Sequence, residues 1–172
     1  MHADERATAA AVIGQAVNAI LDGNLAAGDL LALYAAKGTE VATTAIAEHA
    51  VLHGIEVAYP RVLDDDRTLM FHLVAADELI AGRFGLREPR ADSPAVALER
   101  IAAFVIPGLA FDLEGGRVGW GRGYYDATLA KAPSALRLGV AFACQVVDHL
   151  PRDPHDVAMH YVITELATHE VG

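Results

Sequence analysis

Residues 101–106 read Ile-Ala-Ala-Phe-Val-Ile, an unbroken apolar run closed by Pro107. A strand with one wet face alternates apolar and polar residues. A continuous apolar run is buried on both faces, as in the middle of a parallel sheet covered by helices. The rest of the chain keeps to that plan. Residues 29–35, 136–142 and 161–164 read as further strands, and residues 55–59 and 68–74 as two more, joined by the acidic turn Asp64-Asp65-Asp66. Residues 4–21 have the spacing of an amphipathic helix opening at Asp4, with Val12, Ala16, Ala19 and Ile20 on one face. A second helix is expected over 40–53, closed by Gly54, and 122–132 has helical composition. Strands alternating with helices specify a layered α/β/α fold with a mainly parallel sheet. The polar, proline-containing stretch 82–94 is the expected mobile loop. Ligands of such sheets bind beyond the carboxyl ends of the strands, where Tyr34, residues 107–112 and residues 143–145 fall.

Composition excludes several classes. A chain of 172 residues, 53% hydrophobic and 21% charged, has material for one domain with a sizeable core. A formal net charge of −10 argues against a nucleic-acid surface, because phosphodiester binding needs a basic face. No apolar stretch reaches the roughly 18 residues of a membrane span, and residues 1–6 lack the build of a signal peptide. A single cysteine, Cys144, leaves no internal disulfide to form and suits a reducing compartment, so a cytoplasmic protein is expected. Cys144 reads as a buried small hydrophobe. His49 and His53 stand four apart but have no Glu at position 50, so the zinc-protease pattern fails.

The segment with most chemistry is Arg117-Val118-Gly119-Trp120-Gly121-Arg122-Gly123-Tyr124-Tyr125-Asp126. Three glycines at alternate positions remove every Cβ that would keep backbone N–H groups from closing around an anion. Arg117 and Arg122 bring positive charge, and a helix after the loop would turn its N-terminus toward it. A Walker A loop needs Gly-Lys-Ser/Thr and a dinucleotide fingerprint needs Gly-x-Gly-x-x-Gly; neither is present. A phosphate cradle and a structural tight turn are both open readings, since glycine clusters mark turns too.

That run, preceded by Pro107-Gly-Leu-Ala-Phe-Asp112, resembles the signature of the 5-formyltetrahydrofolate cyclo-ligase (5,10-methenyltetrahydrofolate synthetase) family, roughly Pro-Gly-x-Ala-Phe-Asp and then Arg-Leu-Gly-x-Gly-x-Gly-Tyr-Tyr-Asp. Gly139-Val-Ala-Phe-Ala-Cys-Gln145, Leu150-Pro151, His155-Asp156 and Val162-Ile-Thr164 come after it in the family's order. Gly38-Thr-Glu40-Val-Ala-Thr43, Tyr59-Pro60-Arg61-Val62 and Leu86-Arg-Glu88-Pro89 precede it. The resemblance implies a fold of the sugar-phosphate isomerase/CoA-transferase type and a single domain over residues 1–172. It implies ATP-dependent closure of 5-formyltetrahydrofolate to 5,10-methenyltetrahydrofolate through a phosphorylated formyl group, an imidate phosphate.

The resemblance also assigns roles. Residues 117–125 would bind the nucleotide, with Arg117 and Tyr125 catalytic. Glu40 would hold the folate pterin, with Tyr34, Ala35 and Trp120 as its shelf. Asp126 and Asp156 would hold Mg²⁺, with Asp112 a weaker candidate because it is also placed as a turn acid before Gly115-Gly116. The implied partners are the folate and ATP, in a monomer or small homo-oligomer. Two departures stand out. The family opens with a basic helix, whereas Arg6 is the one Lys or Arg before Lys37, and His160 stands where the family often has an acid. A non-catalytic homologue that binds folate or nucleotide is the alternative.

Overall fold

The computed structural model describes residues 1–63 and 67–172; the expected turn Asp64-Asp65-Asp66 lies outside the described residues. The chain opens with α1 (Ala3–Asn24), β1 (Leu30–Ala32), α2 (Thr44–Leu52), β2 (Glu56–Val62) and β3 (Leu69–Leu73). Next come the short strands β4 (Ile80–Ala81), β5 (Arg87–Glu88) and β6 (Ala95–Val96), then β7 (Ile101–Ile106), β8 (Ala110–Asp112) and β9 (Arg117–Val118). The chain ends with α3 (Tyr124–Leu129), β10 (Leu136–Val140), β11 (Val146–Val147), β12 (Tyr161–Ile163) and β13 (Thr168–Glu170).

The main sheet has eight strands in the order β13-β12-β10-β7-β1-β2-β3-β6. Its five central strands are parallel, and β13, β3 and β6 pair antiparallel at the margins. Strand order runs outward from β1 to β2 on one side and from β7 through β10 to β12 on the other. The reversal therefore falls between β1 and β7, which pair directly, Ala32 opposite Phe104. At such a switch point the loops leaving the carboxyl ends diverge and open a crevice.

Strand β7 shows why the apolar run is unbroken. Ala103 and Val105 face the cluster built by α1 and α2, with Ile13, Val17, Leu21 and Ile46. Ile101, Phe104 and Ile106 face the opposite cluster, with Phe111, Leu129 and Met159. The second face is covered by α3 and by a second sheet of order β11-β8-β9, which the sequence did not lead us to expect. Phe111 docks that small sheet. A Cβ at Gly108 would meet its ring at 2.7 Å and one at Gly139 at 2.6 Å, so both positions admit only glycine without displacing the ring.

Several expectations are corrected. The buried stripe of α1 is Ala9, Ala10, Ile13, Gly14, Val17 and Leu21, while Val12 and Ala19 are exposed. The helix is apolar nearly all round, so spacing alone could not fix its rotation. Helix α2 starts at Thr44 and not at residue 40, because Gly38, at φ 62, turns the chain and the Glu40 carboxylate accepts the Lys37 amide at 2.8 Å. The 82–94 stretch holds part of a small hairpin, β4 against β5, and buries Glu88. Helix α3 covers six residues of the expected 122–132, and Cys144 is exposed.

Candidate functional site

The segments leaving β1 and β7 floor the crevice at the carboxyl edge. After β1 the chain stays extended through Leu33 and Tyr34. The Tyr34 hydroxyl donates to the Val41 carbonyl at 2.6 Å, and the Thr43 hydroxyl donates to the Tyr34 carbonyl at 2.8 Å. These bonds fix the loop that presents Ala35 and Glu40, both partly exposed. Burial pushes the Glu40 carboxyl above its ordinary value, outweighing the Lys37 amide and charge that lower it. Burial also raises the Tyr34 hydroxyl well above its usual range, followed by the charge of Glu40 and by Tyr125.

Beyond β7, residues 107–109 lead into β8 and β9, and β9 delivers Arg117. Its guanidinium side chain is 6% exposed. Arg117 Nη2 donates to Asp126 Oδ2 at 3.0 Å, and its Cζ lies 5.4 Å from the Tyr125 ring centre. Arg117 Nε is buried without a hydrogen-bond partner. A Cβ at Gly119 would meet Nη1 at 2.6 Å, and one at Gly108 would meet Cγ at 3.1 Å. The arginine therefore lies in a slot walled by two glycines, with donors in excess of its one carboxylate. Such a group needs a second anion or acceptor. Burial lifts the Tyr125 hydroxyl far above its usual range, Arg117 opposes that and Glu40 adds to it. Tyr125 thus lies within electrostatic reach of Arg117, Glu40 and Tyr34, and Tyr34 within reach of Glu40.

The glycine loop itself turns at Gly121 and Gly123, with φ 76 and 67, where a side chain would be strained. Trp120 projects at its tip, 78% exposed. Gly121, Arg122, Gly123 and Tyr124 line a cleft of about 390 Å³ together with Arg67. Arg122 stacks on Phe84, its Cζ 4.1 Å from the ring centre. Phe84 takes a left-handed φ of 56, uncommon for an aromatic residue. Its carbonyl accepts from Lys37 Nζ. Motif spacing did not point to Arg67, Lys37 or Phe84. Arg67 follows three aspartates in sequence, which mask its charge in any local count, while Lys37, one residue before Gly38, was a signal that could have been used.

The two aspartates assigned to magnesium come from adjoining segments. Asp126 Oδ1 accepts the amide of Val157 at 3.3 Å, and Val157 is the residue directly after Asp156. Asp156 is exposed and its Oδ2 accepts the Asp153 amide at 2.7 Å. Asp126 is also the partner of Arg117, so a cation there would share this carboxylate with a guanidinium. Asp112 is fully buried and holds the turn. It accepts from the amides of Glu114, Gly116 and Leu150 at 2.7–3.1 Å and from Arg152 at 3.1 Å. His160 packs against Arg137, Nε2 to Nη2 at 2.7 Å, and burial followed by that charge lowers its pKa below the ordinary value.

Fold and cluster together define an α/β protein with its charged groups gathered at the switch point of a parallel sheet. Comparison with known proteins makes this specific. The model of the 5-formyltetrahydrofolate cyclo-ligase family matches residues 1–165. The 5-formyltetrahydrofolate cyclo-ligase of Mycolicibacterium smegmatis is 31% identical over 156 residues, covering 87% of this chain and 80% of that one. The 5,10-methenyltetrahydrofolate synthetase of Aquifex aeolicus superposes with a TM-score of 0.83 at 28% identity, covering 99% of this chain and 85% of that one. A 5,10-methenyltetrahydrofolate synthetase from Mycoplasma pneumoniae shares the fold, with a TM-score of 0.77 at 24% identity over 96% and 90% of the two chains. The chain belongs to the 5-formyltetrahydrofolate cyclo-ligase family. Among the described residues no helix is long and apolar enough to cross a membrane.

Proposed function

We propose that this protein is a ligase that closes 5-formyltetrahydrofolate to 5,10-methenyltetrahydrofolate with consumption of ATP. The observation that carries the reading is Arg117, a nearly buried guanidinium with an unpartnered Nε in a glycine-walled slot. It pairs with the Asp126 carboxylate and lies within electrostatic reach of Tyr125, which in turn reaches Glu40 and Tyr34.

A formamide oxygen leaves poorly, so transfer of the γ-phosphoryl group to it gives an imidate phosphate; folate N10 then attacks that carbon and phosphate departs. This chain's residues position and stabilise. Arg117 and Arg122 with the amides of residues 118–124 hold the triphosphate tail, and Arg67 at the cleft wall adds a third positive charge. Glu40 accepts hydrogen bonds from adjacent N–H groups of the pterin, with Tyr34, Ala35 and Trp120 around it. Tyr125, always protonated, donates to the oxygen where charge builds. Asp126 and Asp156 would hold Mg²⁺, which would supply positive charge to offset that of the phosphates. Their adjoining placement fits an ion that takes one or two carboxylates and completes its shell with phosphate and water. An exposed lone cysteine fits a reducing, cytoplasmic setting.

The direct test monitors methenyltetrahydrofolate absorbance from 5-formyltetrahydrofolate with and without Mg-ATP. Product formed only with Mg-ATP supports the ligase. Saturable folate binding without turnover would replace it with a binding protein.

Glu40 gives a second, independent check. A carboxyl whose pKa is raised on folding favours the native state below its ordinary value of 4.5 and loses that contribution as pH climbs through the raised value. At neutral pH the ionised group works against folding. Glu40→Gln is therefore expected to raise the melting temperature while weakening folate binding roughly tenfold or more, the size of a lost charge-assisted bond. Calorimetric titration with 5-formyltetrahydrofolate and a thermal melt read both. An unaltered folate Kd removes Glu40 from the pterin site.

A further inference from the structure

The opposite edge of the sheet carries a second set of chemistry-bearing residues. Helix α1 runs into β1 and α2 into β2, so both helices end at the amino edge, away from the crevice. Gly14 of α1 lies against Ala45 and Ile46 of α2, which brings the helices close. Their last turns then place Asp22, His49 and His53 together, each offering one ligand atom within 4.8 Å of the others. His49 Nε2 lies 2.7 Å from Asp22 Oδ1, and the His49 and His53 rings stack with centres 4.1 Å apart. His53 Nδ1 lies 2.8 Å from the His49 carbonyl. A carbonyl only accepts, so Nδ1 carries the proton and Nε2 is left as an exposed lone pair, the form in which imidazole binds a metal.

We propose that Asp22, His49 and His53 bind a divalent transition-metal ion of the Zn²⁺ class and pin α1 to α2. Two imidazoles and a carboxylate are a ligand set suited to zinc, nickel or copper and not to magnesium. The negative poles of two helices converge there, and α1 has no basic residue in its last turn to neutralise its own. The pair at i and i+4 lacks the intervening glutamate of the zinc-protease pattern, and three protein ligands leave the fourth position of the ion to water.

The test titrates the tag-free full chain, stripped by chelation, with Zn²⁺ alone in the absence of nucleotide, and with Co²⁺ as a spectroscopic substitute. One saturable equivalent is expected, with a melting temperature that rises with free zinc. His53→Gln and Asp22→Asn should each weaken binding by at least about tenfold, since even outer-shell losses cost that much. Among the described residues the hydrogen bond and ring contact of the His53 side chain are both with His49, so its variant should fold and retain basal activity. Magnesium should not compete. Zinc affinity unchanged in both variants, or no saturable equivalent, overturns the proposal.

Discussion

An Arg117→Ala variant is expected to turn over Mg-ATP with kcat/KM reduced roughly ten- to a hundredfold, the range of one lost charge-assisted hydrogen bond. Two effects compose that loss, and they separate. One is the missing contact to the triphosphate. The other is Asp126, 23% exposed and left without its guanidinium. The unpaired Asp126 acts on folding and the lost phosphate contact on turnover, so a thermal melt of Arg117→Ala beside its kinetics separates them: a variant that melts like the parent assigns the loss to the phosphate. Arg117→Lys should fall between, because an ammonium keeps the charge but not the fork that serves Asp126 and a second anion together. The KM for 5-formyltetrahydrofolate should stay near the parent value throughout. Full activity in Arg117→Ala would place the nucleotide elsewhere.

Replacing Asp112 with alanine is expected to cost about 3–5 kcal/mol of folding stability, the usual result of removing one member of a buried ionic network. Its two oxygens satisfy three amides and the Arg152 guanidinium; on removal the amides become unpaired donors, while Arg152 keeps Glu114 at 3.5 Å. Burial alone would raise this carboxyl, but the Gly116 and Leu150 amides and Arg152 prevail and hold it below its ordinary 3.8. A lowered native pKa means the stabilisation is present above that value and fades as acid is added below it. Urea denaturation at neutral pH and near pH 3 reads both halves: the gap between parent and variant should shrink on acidification. A variant that melts like the parent yet loses magnesium dependence would restore Asp112 as a metal ligand.

How much of this was legible can be traced residue by residue. Strand β7 was readable to the residue because burial on both faces leaves no polar interruption. The small sheet was not, since β9 and β11 are two-residue strands held by register and by Phe111 against Gly108 and Gly139. Alanine is apolar enough to suggest a helix and too uniform to orient α1. At the site, the family resemblance named Arg117 and Tyr125 on one glycine-rich run and Glu40 on a distant segment; the approach of Glu40 to Tyr125 is a product of the β1–β7 switch. Spacing could not show that Arg117 is shared with Asp126, nor that Phe84 stacks on Arg122 from a hairpin that sequence presented as loop. The histidine pair was visible but set aside for want of a Glu at position 50; its third member, Asp22, lies 27 residues from His49 on another helix, where local spacing does not reach.

The margins of the eight-stranded sheet have a consequence for behaviour in concentrated solution. One border, β6, is two residues long and begins just after Pro94; the other, β13, is three residues with Glu170 exposed at its end. Neither presents a run of free amides and carbonyls long enough to template another molecule's strand, and proline and charge oppose docking. A largely parallel sheet of this width is thereby guarded against edge-to-edge aggregation by the brevity of its outermost ribbons.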